Sequence, residues 1–298
     1  MKIKFLFGVL LLLIVACSKK ETPNPNTNST LTVLTGEYLG QTPPGSTPVL
    51  FGSGTISSPD YFEHSAAVFS PDKTEVYWSA KPNGGNIFII YFMKIENGVW
   101  TAPEVASFSQ NVDQNTPVFS PDGNKLYYHS ENAIWVVERQ NNSWSTASRL
   151  PAIINTNAGV FRVHGITANG SIYFSRNNPN ETLLGRYTEV CVSRYINGEY
   201  TEPEQLEENI NSEWMEASIY IAPDESFMLI EEIRDGIVSG IYISYKMQNN
   251  SWSERIDLHL GFARFPHISP DGQYLFFMRR EGIYWMNTSF IENLRPEE

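Results

Sequence analysis

Phe119-Ser-Pro-Asp-Gly-Asn-Lys-Leu-Tyr-Tyr-His-Ser130 is the stretch from which the architecture of this 298-residue chain can be inferred, because its pattern recurs four more times. The other copies of its turn are Ser70-Pro-Asp-Lys73, Thr167-Ala-Asn-Gly170, Ala222-Pro-Asp-Glu225 and Ser269-Pro-Asp-Gly272. The third residues of the five turns are 50, 47, 55 and 47 residues apart along the chain. A repeat of this length predicts a propeller or a similar array of one small unit.

Each copy predicts two strands joined by a tight turn. Pro121 fixes the φ angle that the first corner of the turn requires, and Gly123 accepts the left-handed conformation that a Cβ atom would disfavour. The aromatic and β-branched run after each turn is typical of a buried strand. Residues common in hairpin turns follow in four copies, at Asn97-Gly98, Asn141-Asn142, Asn197-Gly198 and Asn249-Asn250. Four strands per unit match one blade of a β-propeller.

The fifth unit lacks a fourth strand at the C-terminal end, and the N-terminal part of the chain supplies a candidate. Ser46-Thr-Pro-Val-Leu-Phe51 resembles the fourth strands at residues 101–105 and 201–206. Pairing this segment with the last blade would close the ring and remove a free sheet edge. We therefore predict an all-β fold, a single propeller of five four-stranded blades. Strands hidden in the irregular insertion at residues 177–187 would instead make six.

The first 30 residues are predicted to lie outside the propeller. Lys2 and Lys4 precede an apolar run too short to span a bilayer, as in a signal peptide. Ile14-Val-Ala-Cys17 resembles the lipobox of bacterial lipoproteins, which implies cleavage before Cys17 and lipidation of its thiol. An ordinary signal peptide with an incidental cysteine is the alternative. The predicted organisation is a signal peptide at 1–16, a lipidated cysteine and flexible tether at 17–30, and the propeller at 31–298.

Charge and cysteine content limit the possible partners. The chain has 33 acidic and 21 basic residues, a formal net charge of −12, and no basic cluster. Nucleic acid is therefore not expected as a partner, and membrane contact is expected through the lipid anchor only. Cys191 is the one other cysteine, so no disulfide is expected within the mature chain, and its apolar neighbours predict a small buried side chain.

The five units resemble the WD40-like repeat of TolB-type proteins, whose hallmark is Ser-Pro-Asp-Gly followed by a strand like Leu-Tyr-Phe. Residues 120–123 and 269–272 match the hallmark fully, two copies lack the glycine, and Thr167-Ala-Asn-Gly170 departs most. The resemblance implies a β-propeller in the cell envelope. Together with the lipobox and Ser18, it implies an outer-membrane lipoprotein of a Gram-negative-type envelope, facing the periplasm or the surface. The family includes binding scaffolds, translocation components and enzymes, so it does not define an activity.

Candidate site residues are expected where the first strand of each blade begins, at one mouth of the central channel. The turns repeat nearly unchanged, whereas the residues six to eight positions before each turn proline differ in every blade. Different polar groups around one axis suit an asymmetric ligand. The candidates are Glu63, His64, Asn115, Arg162, His164, Trp214, Glu216 and Arg264.

Three interpretations of this mouth stay open. As a binding site, Arg162 and Arg264 would hold carboxylate or sulfate groups and Trp214 would stack against a sugar or peptide. As a glycan hydrolase or lyase, it would use Glu63 or Glu216 as general acid or base, or a divalent metal held by His64, His164 and a glutamate. As a polar, water-filled channel, it would have no ligand.

The preferred hypothesis is a lipid-anchored envelope propeller that acts as a binding or protein-interaction module. Its partner would be an envelope protein, a peptide or a glycan. The sequence contains none of the common catalytic signatures, such as Gly-x-Ser-x-Gly or His-Glu-x-x-His. No catalytic residue, resident metal or cofactor is therefore assigned.

Overall fold

The computed structural model describes residues 33–109, 112–156, 159–177 and 188–297. The chain divides into two units, Met1–Val33 and Leu34–Glu298, and every strand below belongs to the second. The predicted signal peptide, the predicted lipidation site at Cys17 and most of the insertion at 177–187 lie outside the described residues. Within the described ranges, no helix reaches the length and apolarity that crossing a lipid bilayer requires.

The described chain forms five blades of antiparallel strands around one axis, as predicted. The first strand, β1 (Val49–Leu50), belongs to the last blade. Blade 1 contains β2 (Tyr61–Glu63), β3 (Val68–Phe69), β4 (Glu75–Pro82), β5 (Ile89–Glu96), β6 (Val99–Trp100) and β7 (Glu104–Val105). Blade 2 contains β8 (Gln114–Phe119), β9 (Lys125–Ser130), β10 (Ala133–Gln140), β11 (Ser143–Trp144) and β12 (Ser148–Arg149).

The remaining blades follow the same order from the axis outward. Blade 3 contains β13 (Val160–Ile166), β14 (Ile172–Asn177), β15 (Thr188–Ser193), β16 (Tyr195–Ile196), β17 (Glu199–Tyr200) and β18 (Glu204–Gln205). Blade 4 contains β19 (Met215–Ile221), β20 (Phe227–Arg234), β21 (Ile237–Tyr245) and β22 (Ile256–Asp257). Blade 5 contains β23 (Arg264–Ile268), β24 (Tyr274–Arg279) and β25 (Gly282–Asn287). Two short helical turns, Glu37–Gly40 and α1 (Phe290–Asn293), flank this series.

Hydrogen bonds within the repeated turn explain why its sequence recurs. In blade 2 the Ser120 hydroxyl donates to Asp122 Oδ1 at 2.6 Å, and this oxygen also accepts the Asn124 N–H at 3.0 Å. Blades 1, 3 and 5 repeat the first bond with their own Ser or Thr and Asp or Asn. The fourth residue has a positive φ in all five turns, 72° at Gly123 and 59° at Lys73. The motif therefore stabilises a hairpin and carries no chemistry of its own.

The predicted closure of the ring is confirmed. β1 pairs with β25, with Val49 opposite Trp285 and Leu50 opposite Tyr284. Phe51, which is fully buried, follows β1 and has its ring centroid 5.0 Å from that of Phe276. Because an N-terminal strand completes the last blade, both ends of the repeat array are held in one sheet.

A second N-terminal contact reinforces this closure. The Tyr38 hydroxyl donates to Asp271 Oδ2 at 2.8 Å, in the turn of blade 5, while Lys73 in the turn of blade 1 contacts both Glu37 and Asp271. The Tyr38 ring packs against Phe69 and Tyr274. The segment around residue 38 thus fastens blade 1 to blade 5 beside the turns.

The hydrophobic core lies between the blades, where the sheet faces pack together. Five clusters of buried residues are found in the described chain, each spanning two neighbouring blades. Phe108, for example, stacks on both Tyr77 of blade 1 and Tyr128 of blade 2. Cys191 is fully buried between blades 2 and 3, and burial raises the pKa of its thiol to about 12. This environment agrees with the packing role predicted for Cys191.

Candidate functional site

The inner strand of every blade is interrupted near the mouth opposite the repeated turns. In blade 1 the interruption separates β2 from β3, and in the other blades it is a shift of register against the second strand. Thr116 in blade 2 and Phe265 in blade 5 have positive φ angles of 50° and 53° there. Such backbone kinks re-aim side chains and cluster at functional sites.

Aromatic rings form a continuous row from the rim of this mouth towards the axis. Phe62, 41% exposed, lies at the outer end, with its centroid 6.3 Å from that of Phe88. The His64 ring stacks on Phe88 at 4.2 Å, and its other neighbour is Phe265, 4.7 Å away. We call Phe62, Phe88, His64 and Phe265 the aromatic row. It offers flat apolar surface to a ligand.

Three cationic side chains flank the aromatic row. Lys81 Nζ lies 5.8 Å from the centroid of Phe62 and 5.3 Å from that of Phe88. The guanidinium carbons of Arg162 and Arg264 lie 4.8 and 4.7 Å from the centroid of Phe265. Each distance is within the range of a cation–π interaction. The structure thus brings together three predicted site residues, His64, Arg162 and Arg264.

Buried negative charge balances part of this cluster. Glu231 is fully buried, its Oε1 contacts Arg264 Nε at 2.5 Å, and its Oε2 accepts the Phe265 N–H at 3.0 Å. Burial lowers the pKa of Arg162 to about 10, which leaves the guanidinium charged at neutral pH. Burial, followed by the charges of Arg162 and Arg264, lowers the pKa of His64 to about 2. The histidine is therefore neutral and acts as an aromatic surface.

Glu63 and Asn115 belong to the same level of the mouth but make local contacts. Glu63 is 5% exposed, its Oε1 accepts the Ser58 N–H at 3.4 Å, and burial raises the pKa of its carboxyl. The Asn115 amide donates to Asp113 Oδ2 at 3.3 Å, and its carbonyl accepts the Thr116 hydroxyl at 3.3 Å. These contacts order the strand starts around the opening.

His164 lies deeper along the axis and joins blade 3 to blade 4. Its Nδ1 accepts the Ile219 N–H at 3.1 Å, so Nε2 carries the proton and donates to Ser175 Oγ at 2.6 Å. Burial, with a smaller effect of Arg162, lowers its pKa to about 3. The side chain lines a cavity of about 510 Å³ that opens among the repeated turns, and His267, expected to pack between blades, also lines it. This cavity is mostly walled by apolar side chains and prolines.

Trp214 and Glu216 contact a different set of residues from the aromatic row. Trp214 lines a cavity of about 560 Å³, which we call the blade 4 cavity. Its lining residues are Glu208, Asn211, Ser212, Glu213, Trp214, Glu232, Arg234, Tyr242, Glu254 and Arg255. Glu216 is fully buried behind this lining, where its Oε1 accepts hydrogen bonds from the Ser212 hydroxyl at 2.7 Å and from Arg255 Nη2 at 3.1 Å. Burial, offset in part by Arg255, raises the pKa of the Glu216 carboxyl.

The part of the chain that the structure describes contains no group of three His, Cys, Asp or Glu side chains that could hold a metal ion. His64 and His164 make the separate contacts described above. Sequence reasoning did not identify Phe62, Lys81, Phe88 or Phe265, which complete the mouth. Phe62 and Phe265 directly neighbour the candidates Glu63 and Arg264, so their positions could have suggested them. Lys81 and Phe88 lie in the long strand β4 of blade 1 and in the loop after it, which the rule of counting back from each turn proline did not cover.

The architecture defines this chain as a five-bladed β-propeller, and comparison with known proteins agrees with that class. No family model matches the sequence, and no curated protein matches it. Among solved structures, XC5397 of Xanthomonas campestris, a gluconolactonase, has a TM-score of 0.50 and 11% identity, covering 83% of this chain and 94% of its own. A protein described as TolB from Agrobacterium tumefaciens has a TM-score of 0.48 and 19% identity. The match covers 74% of this chain and 70% of that protein. TolB from Acinetobacter baumannii has a TM-score of 0.47 and 14% identity. The match covers 77% of this chain and 55% of that protein.

The predicted TolB-type β-propeller is confirmed at the level of the fold by the five blades of the structure itself. At these identities the similarity extends to the fold and no further. The function must therefore be argued from the residues of this chain.

Proposed function

We propose that this protein is a lipid-anchored binding module of the cell envelope, and that it binds a carboxylate-bearing ligand at the channel mouth. The observation that carries the proposal is the aromatic row flanked by Lys81, Arg162 and Arg264. Flat rings accept the apolar face of a sugar or a side chain, and the cations accept its carboxylate. Acidic glycans have both features, and we propose them as the ligand class.

The local charge supports an anionic ligand although the whole chain is acidic. Lys81, Arg162 and Arg264 contribute three positive charges, against one each from Glu231 and from Asp113, whose Oδ1 accepts the Phe88 N–H at 2.8 Å. Glu63, at the same level, adds a third negative charge when it is ionised, so the charges at the mouth are balanced, on a chain of net charge −12. A balanced mouth on an acidic chain repels an anion less than the rest of the surface does.

The experiment compares an oligogalacturonate with its neutral methyl ester, using calorimetry and thermal shift on the chain from Ser18 onward. We expect the acid to bind and to raise the melting temperature by mass action. Lys81→Ala and Phe62→Ala should each weaken binding about tenfold, since both side chains are on the open rim. Lys94→Ala, which removes an exposed cation paired with Glu96 in the outer part of blade 1, is the matched control.

Equal binding of the ester would contradict recognition of the carboxylate. Binding of an acidic peptide, with no binding of the glycan, would replace the ligand class by a protein partner. No shift with either probe in the wild type would leave the mouth as a water-filled channel.

Hydrolysis or lysis of a bound glycan is the alternative function, and one observation favours it. Burial raises the pKa of the Glu63 carboxyl at the mouth, as suits a general acid. New reducing or unsaturated ends, formed by the wild type and lost in Glu63→Gln, would support it. Binding without any product over long incubation would count against it.

A further inference from the structure

The blade 4 cavity has the form of a cation-binding site. We propose that it binds an arginine- or lysine-containing segment of a partner protein, and that Arg234 occupies the cation position when the partner is absent. The inference concerns residues away from the aromatic row and does not depend on the ligand proposed there. The volume of the blade 4 cavity, about 560 Å³, is within the range of small-ligand pockets.

Two aromatic walls already hold a guanidinium group. The guanidinium carbon of Arg234 lies 5.8 Å from the ring centroid of Trp214 and 5.8 Å from that of Tyr242. Arg234 also donates to the Tyr242 hydroxyl at 3.4 Å. A cation within about 6 Å of a ring centroid is attracted by the ring's quadrupole. The chain's own arginine therefore shows which chemical group these walls accept.

Arg234 can be exchanged because the charge of its partner does not depend on it alone. Its side chain is 48% exposed, and among the described residues its ion pair is with Glu232, which is 2% exposed and also pairs with Arg255 at 2.9 Å. The arginine end of the pair is well solvated, and the buried carboxylate also accepts the Ser239 hydroxyl at 3.0 Å. An incoming cation could take the place of Arg234 between the rings while Glu232 remains neutralised by Arg255.

The charge of the lining favours a cationic partner. Four glutamates, Glu208, Glu213, Glu232 and Glu254, face two arginines, which gives a net charge of −2. Within the described chain, Glu208, Glu213 and Glu254 are exposed and make no ion pair. Three carboxylates at the rim are thus open to the basic residues of a partner.

The floor of the cavity is held in place by polar contacts from behind. Arg255, 11% exposed, contacts Glu216 at 3.1 Å and Glu232 at 2.9 Å. The Asn211 amide bonds the backbone of Val190 and Leu206, at 2.7 to 3.0 Å. Because these groups are held from behind, the walls are set before a ligand arrives, which reduces the entropy that binding must overcome.

The test uses a tri-arginine peptide as the probe and a tri-citrulline peptide, which has the same shape without charge, as the control. Binding to the intact soluble chain is measured by calorimetry at low and high salt. We expect the arginine peptide alone to bind, more weakly at high salt because exposed charges are screened. Trp214→Ala should weaken binding about tenfold. Glu213→Gln and Glu254→Gln should each weaken it severalfold, whereas Glu104→Gln, an exposed carboxylate on β7, is the matched control.

Arg234→Gln supplies the distinguishing result. Removing the internal competitor should tighten binding severalfold, because the site is then always vacant. A merely structural role for Arg234 would leave the affinity unchanged or weaken it. Absence of binding to both the wild type and Arg234→Gln, or binding that Trp214→Ala does not affect, would overturn the proposal. Equal binding of the citrulline peptide would overturn it as well. None of these outcomes depends on an acidic ligand at the channel mouth.

Discussion

The carboxylate of Glu231 in blade 4 accepts the backbone N–H of Phe265 in blade 5 at 3.0 Å. The same relationship recurs between blades 1 and 2, where the Ser79 hydroxyl accepts the Thr116 N–H at 3.4 Å. Both acceptors stand eight residues after a turn proline, and both donors have a positive φ. A buried side chain of one blade thus holds the kinked start of the next inner strand. This contact also places Phe265 beneath Arg162 and Arg264.

Glu231→Ala should destabilise the fold by about 3–5 kcal/mol, because Arg264, whose side chain is 19% exposed, and the buried Phe265 N–H lose their acceptor. The free energy of unfolding in urea measures the loss. Glu138→Ala is the control, since Glu138 pairs with Lys125 at 3.0 Å on an exposed surface and should contribute less than about 1 kcal/mol. Similar losses in the two variants would contradict the proposed role of Glu231.

Gly123→Ala should destabilise the turn of blade 2. The residue has a φ of 72°, and a Cβ there would lie 2.9 Å from Pro71 Cδ in the neighbouring turn. The left-handed backbone alone costs about 1–2 kcal/mol. Gly98→Ala, with a φ of 81° and open space around it, measures that backbone cost. We expect Gly123→Ala to lose more unfolding free energy than Gly98→Ala. Equal losses would show that Pro71 moves away from the new Cβ at no measurable cost.

Phe51→Ala should weaken the closure of the ring. Phe51 is fully buried against Phe69, Phe276 and Trp285, so its truncation should cost about 3–5 kcal/mol. Thermal unfolding measures the loss, and Val49→Ala, at an exposed position of the same strand, should cost far less. If Phe51→Ala unfolds like the wild type, closure depends on the backbone pairing of β1 and β25 instead of this packing.

Acid should destabilise the propeller below pH 6.5 through His164, which is buried, and His267, which is partly buried. Burial lowers the pKa of His164 to about 3 and that of His267 to about 4, whereas an unfolded histidine titrates near 6.5. The unfolded chain therefore binds more protons between these values, and stability is lost as the pH falls from about 6.5 towards 4. Each group contributes up to about 1.4 kcal/mol per pH unit.

The dependence on His267 is measured from urea unfolding between pH 7.5 and 5. His267→Gln should reduce the slope of unfolding free energy against pH by about one proton. His259→Gln, at a side chain that is 85% exposed, is the control and should leave the slope unchanged. An unchanged slope in His267→Gln would show that this histidine is not buried in its neutral form.

Much of the candidate site followed from the positions of the repeated turns, because a fixed distance from each turn proline marks the same height on the inner strand. This rule led to His64, Arg162 and Arg264, which the structure brings together. It did not separate them from Trp214, which lines the blade 4 cavity, or from Glu216, which is buried behind that lining. Neighbouring residues on a strand point to opposite faces, and register shifts near the mouth change that alternation.

The sequence by itself determined the repeat, the hairpin turns and the closure by the N-terminal strand, and it favoured five blades over six. These features depend on local turn chemistry, such as the positive φ at Gly123. They also depend on the repeat, because one unit cannot bury its hydrophobic faces without neighbouring copies. Only the tertiary structure decided which side chains meet. Glu231 and Phe265, or Arg234 and Trp214, are partners because blades twist and pack face to face, and no local pattern in the sequence encodes that juxtaposition.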